Sequence, residues 1–111
     1  MTALFLASAA AADPAVIEGA EARASGGAWS FSVTLSHGDT GWDDYADGWR
    51  VVSADGAILG TRELMHPHVN EQPFTRSLSG VAIPEGMSSV WIEASTNTGG
   101  WAGEKLEIPL Q

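Results

Sequence analysis

The alternation of apolar and polar positions along the chain predicts β-strands. In the clearest run, residues 29–35, the apolar side chains Trp29, Phe31, Val33 and Leu35 occupy every second position. Because successive side chains of a strand point to opposite faces, this run predicts a strand with one buried face. Shorter runs of the same kind surround Ile92 and Ile108 in the sequence. No window combines a 3.6-residue period with caps at both ends, so we expect an all-β fold.

Turn residues divide the chain into about seven short strands. Asp55-Gly56, Pro84-Glu85-Gly86 and the segment 97–100 have the residue types of tight turns. The predicted strands cover residues 15–22, 28–36, 45–53, 57–65, 74–83, 88–95 and 102–110. Strands of this number and spacing predict an immunoglobulin-like Greek-key sandwich of two sheets, with Trp49 in its core. A small closed barrel is the alternative architecture.

The first twelve residues have the pattern of an export signal. Residues 3–12 read ALFLASAAAA, a short apolar stretch with small residues at its end, and Asp13-Pro14 follows. This pattern predicts a signal peptide over residues 1–12, cleaved after Ala12, and a domain over residues 13–111 that is periplasmic or secreted. The stretch lacks a preceding Lys or Arg, and a buried N-terminal helix is the alternative. No apolar run reaches the roughly 18 residues of a membrane span.

The charge balance narrows the classes of partner. Asp plus Glu is 14 and Lys plus Arg is 5, which gives a formal net charge of −9. The few basic residues stand singly along the chain, whereas nucleic-acid binding requires clustered Lys and Arg. We therefore expect no nucleic-acid partner, and the same charge disfavours an anionic membrane surface. The sequence contains no cysteine, so disulfides and thiolate metal sites do not arise within it.

The three histidines are candidate metal ligands. If the strands run up and down in order, the loops after the second, fourth and sixth predicted strands meet at one end, and they contain His37, His66 and His68. Pro67 favours extended backbone, which points residues 66 and 68 to the same side. We therefore predict a copper or zinc site formed by His37, His66 and His68, with Met65 or Glu71 as a further ligand. The alternatives are histidines that cap strand ends or lie in solvent, and His37 as a rim residue of the core.

Other residues of these loops suggest two further interpretations. Asp39, Asp43, Asp44 and Asp47 stand close together and could supply oxygen ligands for calcium, although a solvated acidic loop explains them better. Trp42 and Trp101 fall in the same loops, and Trp91 has outward parity on its strand. These three tryptophans define the alternative function, a protein- or carbohydrate-interaction domain without a metal. No nucleophile elbow or phosphate-binding glycine loop is present, so we expect no enzyme.

Several short sequence segments support a resemblance that covers more than half of the domain. They are Gly41 to Asp47, then His66-Pro67-His68-Val69 and Glu71-Gln72-Pro73-Phe74, then Ser77-Leu78-Ser79-Gly80-Val81 and Ile83-Pro84. In these segments the chain resembles a group of small exported proteobacterial proteins. Its predicted fold looks like the immunoglobulin or fibronectin type III class of sandwiches. The resemblance implies an exported β-sandwich, and it implies no particular mechanism.

Overall fold

The computed structural model describes residues 13–110, and the predicted signal peptide over residues 1–12 lies outside the described residues. The described part contains strands and no helix. Its strands are β1 (Val16–Ser25), β2 (Ala28–Ser36), β3 (Ala46–Val52), β4 (Ile58–Glu63), β5 (Phe74–Val81), β6 (Ser89–Thr96), β7 (Gly100–Trp101) and β8 (Leu106–Pro109). Within residues 13–110, no helix is long and apolar enough to cross a membrane.

Two antiparallel sheets face each other. One sheet has three strands in the order β1-β2-β5, and the other has five strands in the order β4-β3-β6, with β7 and β8 both pairing the free edge of β6. The predicted all-β, two-sheet sandwich is confirmed. The finer assignment to the immunoglobulin-like class stays a prediction.

The core lies between the sheets and follows the predicted alternation. Phe31, Val33 and Leu35 are each 1% exposed, and Trp49 is fully buried as expected. Residues of both sheets complete this cluster: Ala15, Ala46, Val51, Leu64, Phe74, Val81, Val90, Ile92, Ala94 and Ile108. Trp29, which we also expected in the core, is partly buried and packs against its side.

The predicted strands differ from the observed ones mainly at the two ends of the chain. The first strand continues to Ser25, because Gly26 and Gly27 at φ 59° and 87° form a two-residue hairpin turn that only glycine accommodates easily. The predicted strand 102–110 is wrong in its first half. Gly100–Trp101 pairs with the end of β6, and the Ala102 N–H still donates to the Ala94 oxygen at 3.3 Å. Residues 103–105 leave the sheet, and pairing resumes at Leu106. The sandwich therefore has about eight strands rather than seven.

One open side of the sandwich is closed by a side chain. Strands β4 and β5 are edge strands of different sheets, and Arg62 on β4 donates from Nη1 to the backbone oxygen of Ser77 on β5 at 2.8 Å. Next to this bond, Gly60 lets the two edges approach, because a Cβ there would lie 3.1 Å from Leu78 Cδ2. This contact holds the two sheets together where no strand pairing does.

Candidate functional site

Three loops meet at one end of the sandwich, as the strand order predicted. We call this end the loop pole, formed by the β2–β3 loop (residues 37–45), the β4–β5 loop (residues 64–73) and the β6–β7 loop (residues 97–99). The β2–β3 loop contacts both of the others. Asn97 donates to the backbone oxygen of Trp42 at 2.9 Å, and Gln72 Oε1 accepts the backbone N–H of His37 at 2.9 Å.

Asp39 is the buried centre of the loop pole. Its side chain is fully buried, and its carboxylate accepts three hydrogen bonds. Oδ1 accepts from His37 Nδ1 at 2.6 Å and from the backbone N–H of Ala46 at 3.0 Å, while Oδ2 accepts from the backbone N–H of His68 at 2.8 Å. A buried carboxylate is tolerated when its oxygens are bonded in this way. Asp39 thus joins two loops and the start of β3.

His37 lies at the rim of the core, as its parity on β2 predicted, and its side chain is 2% exposed. Nδ1 bonds to Asp39, and Nε2 lies 3.1 Å from the backbone oxygen of Asp13. The Asp44 carboxylate is 3.6 Å from the same Nε2. Both ring nitrogens therefore face oxygens of other groups. A metal ligand instead needs a free nitrogen lone pair.

His68 is buried, so the alternative that it lies in solvent is wrong. Its ring stacks on Phe74, with centroids 4.0 Å apart and planes 11° apart. Nε2 is 3.0 Å from Nη2 of Arg76, and Nδ1 is buried without a partner among the described residues. Burial lowers the pKa of His68, and the positive charge of Arg76 lowers it further. Because Arg76 can only donate, Nε2 is the acceptor and Nδ1 carries the proton of the neutral ring.

The remaining predicted metal ligands lie near His68 without joining it in a cluster. The exposed His66 ring is 4.8 Å from the His68 ring, and His66 Nδ1 lies 3.1 Å from the Pro67 oxygen. Met65 is 70% exposed. Glu71 pairs with Arg76 at 3.1 Å, and this hydrogen bond lowers the pKa of the Glu71 carboxyl. Within residues 13–110, no three His, Asp or Glu side chains are grouped as metal ligands. Metal binding stays a prediction.

The aspartates of the β2–β3 loop and the start of β3 point to different partners. Asp44 accepts from Thr98 at 3.2 Å, Asp47 accepts from Ser95, and Asp43 is exposed. The interpretation of Asp39 as part of a solvated acidic loop is wrong, because Asp39 continues the inward parity of β2 beyond His37. That parity was the available sequence signal, since residues 31, 33, 35, 37 and 39 are all buried.

A second feature lies on the outer face of the five-stranded sheet, where Trp101 forms a half-exposed platform. Trp101 is 41% exposed, and the guanidinium carbon of Arg50 lies 4.0 Å from its ring centroid. The indole lies over Gly48, because a Cβ at Gly48 would be in ordinary contact with Trp101 Cη2 at 3.6 Å. The ring is thus supported by β3 and open to solvent elsewhere, an arrangement suited to stacking a ligand.

Charged side chains stand beside this platform. Glu93 accepts from Arg50 Nε at 2.7 Å and pairs with Lys105 at 3.1 Å. Burial raises the pKa of Glu93, but the hydrogen bonds from Arg50 and Lys105 outweigh it, and the net pKa lies below the ordinary value. Arg50 therefore links the indole to the carboxylate of Glu93, which is also paired with the half-exposed Lys105.

The two other predicted tryptophans have different surroundings. Trp91 and Glu93 are two residues apart on β6, so their side chains point to the same face of the sheet. The half-buried Trp91 therefore shares the outer face with the Trp101 platform. Trp91 pairs with Glu107, whereas Trp101 pairs with Ser95 four residues further along β6. At about 3.4 Å per residue, the two backbones are roughly 14 Å apart. Trp42 is 65% exposed at the loop pole, with its ring edge-on to Tyr45 at 5.4 Å.

Comparison with known proteins gives one informative relative. The chain is 42% identical over 88 residues to a protein of Halomicrobium mukohataei that bears the name "Putative lipoprotein". The match covers 79% of this chain and 43% of the relative, so the chain spans less than half of the relative's length. No family model matches the chain. No solved structure matches it either.

Proposed function

We propose that this protein is an exported β-sandwich domain that binds carbohydrate on the outer face of its five-stranded sheet. The observation that carries the proposal is the Trp101 platform, a half-exposed indole supported by Gly48 and Arg50. A sugar ring presents C–H groups on its faces and hydroxyls around its edge. An indole face makes apolar contact with the C–H groups, and adjacent charged side chains form hydrogen bonds with the hydroxyls.

The neighbouring side chains fit this division of roles. Arg50 and Lys105 are donors, Glu93 is an acceptor, and all three are held in an ion-pair cluster before a ligand arrives. A prearranged cluster loses little side-chain entropy on binding. Trp91, roughly 14 Å further along the same face, offers a second aromatic contact to a ligand of several sugar units. This spacing favours an oligosaccharide over a single sugar.

Export is supported by two independent observations. Residues 3–12 have the apolar, small-residue pattern of a secretion signal. The relative from Halomicrobium mukohataei carries a lipoprotein name, which is typical of proteins placed at the cell envelope. We therefore expect the domain to act outside the cytoplasm.

Affinity electrophoresis and tryptophan fluorescence test carbohydrate binding. Soluble cellulose derivatives, chito-oligosaccharides and xylan serve as probes, and wild type is compared with Trp101→Ala. The matched control is Trp42→Ala, which removes an exposed indole from the loop pole. We expect at least one saccharide to retard wild type and the control and to quench their fluorescence, with about a tenfold weaker effect on Trp101→Ala. Equal behaviour of Trp101→Ala and wild type would contradict the proposal.

Metal binding is the second candidate function, and one observation favours it. His66 and His68, two residues apart on one loop, stand with their rings 4.8 Å apart. For His68 Nε2 to bind copper or zinc, its hydrogen bond with Arg76 must break. For His37 to join the site, its hydrogen bond with Asp39 or with the Asp13 backbone oxygen must break. Titration calorimetry with Zn²⁺ and Cu²⁺ tests this. The double variant His66→Ala, His68→Ala should lose the heats of wild type, and equal heats would remove the hypothesis.

A further inference from the structure

Strand β1 leaves one edge of the three-stranded sheet open. It pairs with β2 on one side, and within residues 13–110 no strand pairs with its other side. The strand has ten residues and contains neither Pro nor Lys, the residues that commonly protect an edge. The register with β2 shifts between Ile17 and Gly19, so the regular part of the edge runs from Gly19 to Ser25. An unprotected edge of this kind can accept a further strand.

The β1–β2 hairpin determines which backbone groups face the open edge. Ser25 and Ala28 close its two-residue turn, and residues that close such a turn exchange both of their backbone hydrogen bonds. Hydrogen-bonded pairs of an antiparallel ladder alternate with pairs that are not hydrogen-bonded, so Ala20, Ala22 and Ala24 direct their N–H and C=O groups away from β2. Among residues 13–110, no backbone hydrogen bond outside the strand ladders reaches these groups.

One register between two antiparallel copies of β1 matches both these backbone groups and the charges. With a two-fold axis at Ala22, Ala20 lies opposite Ala24 of the partner subunit, so the outward groups of the alanines bond to one another. In the same register Glu21 lies opposite Arg23 of the partner subunit. An axis at Glu21 or at Arg23 instead places two like charges directly opposite each other, which destabilises a strand pair. The strand is therefore self-complementary about Ala22.

The side chains around this register leave room for a second copy. Ala20 and Ala22 pack against the core of their own sandwich and are small. Glu21 and Arg23 lie on the outer face of the sheet, and both are exposed. Neither belongs to an ion pair of the described chain, so both charges are available to a partner.

We propose that two copies of the chain pair through β1 with Ala22 at the two-fold axis, so that the three-stranded sheets of the two copies form one continuous sheet. Backbone hydrogen bonds at the alanines and the Glu21–Arg23 ion pairs, which the symmetry repeats, hold the copies together. The opposed charges favour a second copy over an unrelated strand, which would need only backbone groups. The paired segment is short, so the dimer is weak, with a dissociation constant on the order of 100 µM.

Sedimentation equilibrium of the full chain tests this pairing. We expect wild type to change from the mass of a monomer to that of a dimer between about 5 and 500 µM. The solution contains about 0.15 M NaCl, which screens the repulsion between two copies of net charge −9. Glu21→Arg and Arg23→Glu each place like charges opposite each other at both symmetric positions, and each should weaken the dimer at least about tenfold.

Mixing the two variants tests the register itself. In an equimolar mixture every substituted charge again lies opposite one of the other sign, so we expect the mixture to dimerise like wild type. The matched control is Glu63→Arg, which makes the same change of charge at an exposed residue of β4 and should leave the dimer unchanged.

Three outcomes overturn the proposal. Wild type that remains a monomer at the highest concentration would show that β1 does not pair. A dimer that neither single variant weakens would place the contact on another surface. Weak association of both variants that their mixture does not restore, with urea denaturation midpoints equal to that of wild type, would contradict the register centred on Ala22.

Discussion

Removal of the Asp39 carboxylate should destabilise the domain far more than removal of any exposed aspartate. Asp39→Ala leaves three donors without their acceptor: the His37 ring, the N–H of Ala46 and the N–H of His68. Each buried donor without a partner costs about 1–3 kcal/mol. Because the three bonds share one carboxylate and water can enter, we expect a loss of about 3–5 kcal/mol, a large share of a typical free energy of unfolding.

Urea denaturation at pH 7, followed by tryptophan fluorescence, measures this loss. The matched control is Asp43→Ala, an exposed aspartate of the same loop, which should change the free energy of unfolding by less than about 0.5 kcal/mol. Asp39→Asn should be intermediate, because its amide NH₂ must face at least one of the donors that the carboxylate accepts. A loss below about 1 kcal/mol for Asp39→Ala would refute the role of Asp39 as the buried centre of the loop pole.

Three further predictions concern the sheets. Gly48→Ala places a Cβ 3.3 Å from the Arg62 backbone oxygen, closer than an ordinary contact, so it should lower the free energy of unfolding in urea by about 1 kcal/mol; an unchanged free energy would contradict the close approach of β4 to Gly48. Arg62→Met should lower the free energy of unfolding by about 1–2 kcal/mol in urea, whereas exposed Arg23→Met should leave it nearly unchanged. Because its pKa is lowered, Glu93 contributes stability that is present above its ordinary value of 4.5 and is lost as the pH falls through the lowered pKa. Arg50→Gln should therefore destabilise by about 1 kcal/mol at pH 7 and much less at pH 2, and equal effects at the two pH values would exclude the ion pair as the cause.

The fold was largely predictable because its signals are local. The alternation through residues 29–35 and the Asp55-Gly56 turn each depend on neighbouring residues, and the structure places both as expected. The split of the last predicted strand was not recognised, and its only local signal is Gly103, whose φ is 88°. Such a gap depends on where β1 and Pro14 pack, and a Cβ at Gly103 would lie 3.0 Å from Pro14.

The candidate site was predictable in its location and less so in its chemistry. Strand order brought the histidine loops to one pole, which the hydrogen bonds around Asp39 confirm. The partners of those histidines depend on long-range contacts that no local pattern encodes. Arg76 reaches His68 from β5, and Asp13 reaches His37 from the start of the described chain. Trp101 was among the predicted ligand-binding tryptophans, but its contacts with Gly48 and Arg50 were not predictable for the same reason, since both residues come from a strand distant in sequence.

Chemical-shift mapping by ¹H–¹⁵N NMR tests the proposed function most directly. The protein is titrated with an oligosaccharide that retards it in affinity electrophoresis. The account predicts that the perturbed signals are the Trp101 indole N–H, the Arg50 Nε–H and the backbone amides around Glu93, with Trp91 joining them for longer oligosaccharides. Perturbations confined to the loop pole, at Trp42 and the residues around His68, would contradict a carbohydrate site on the five-stranded sheet.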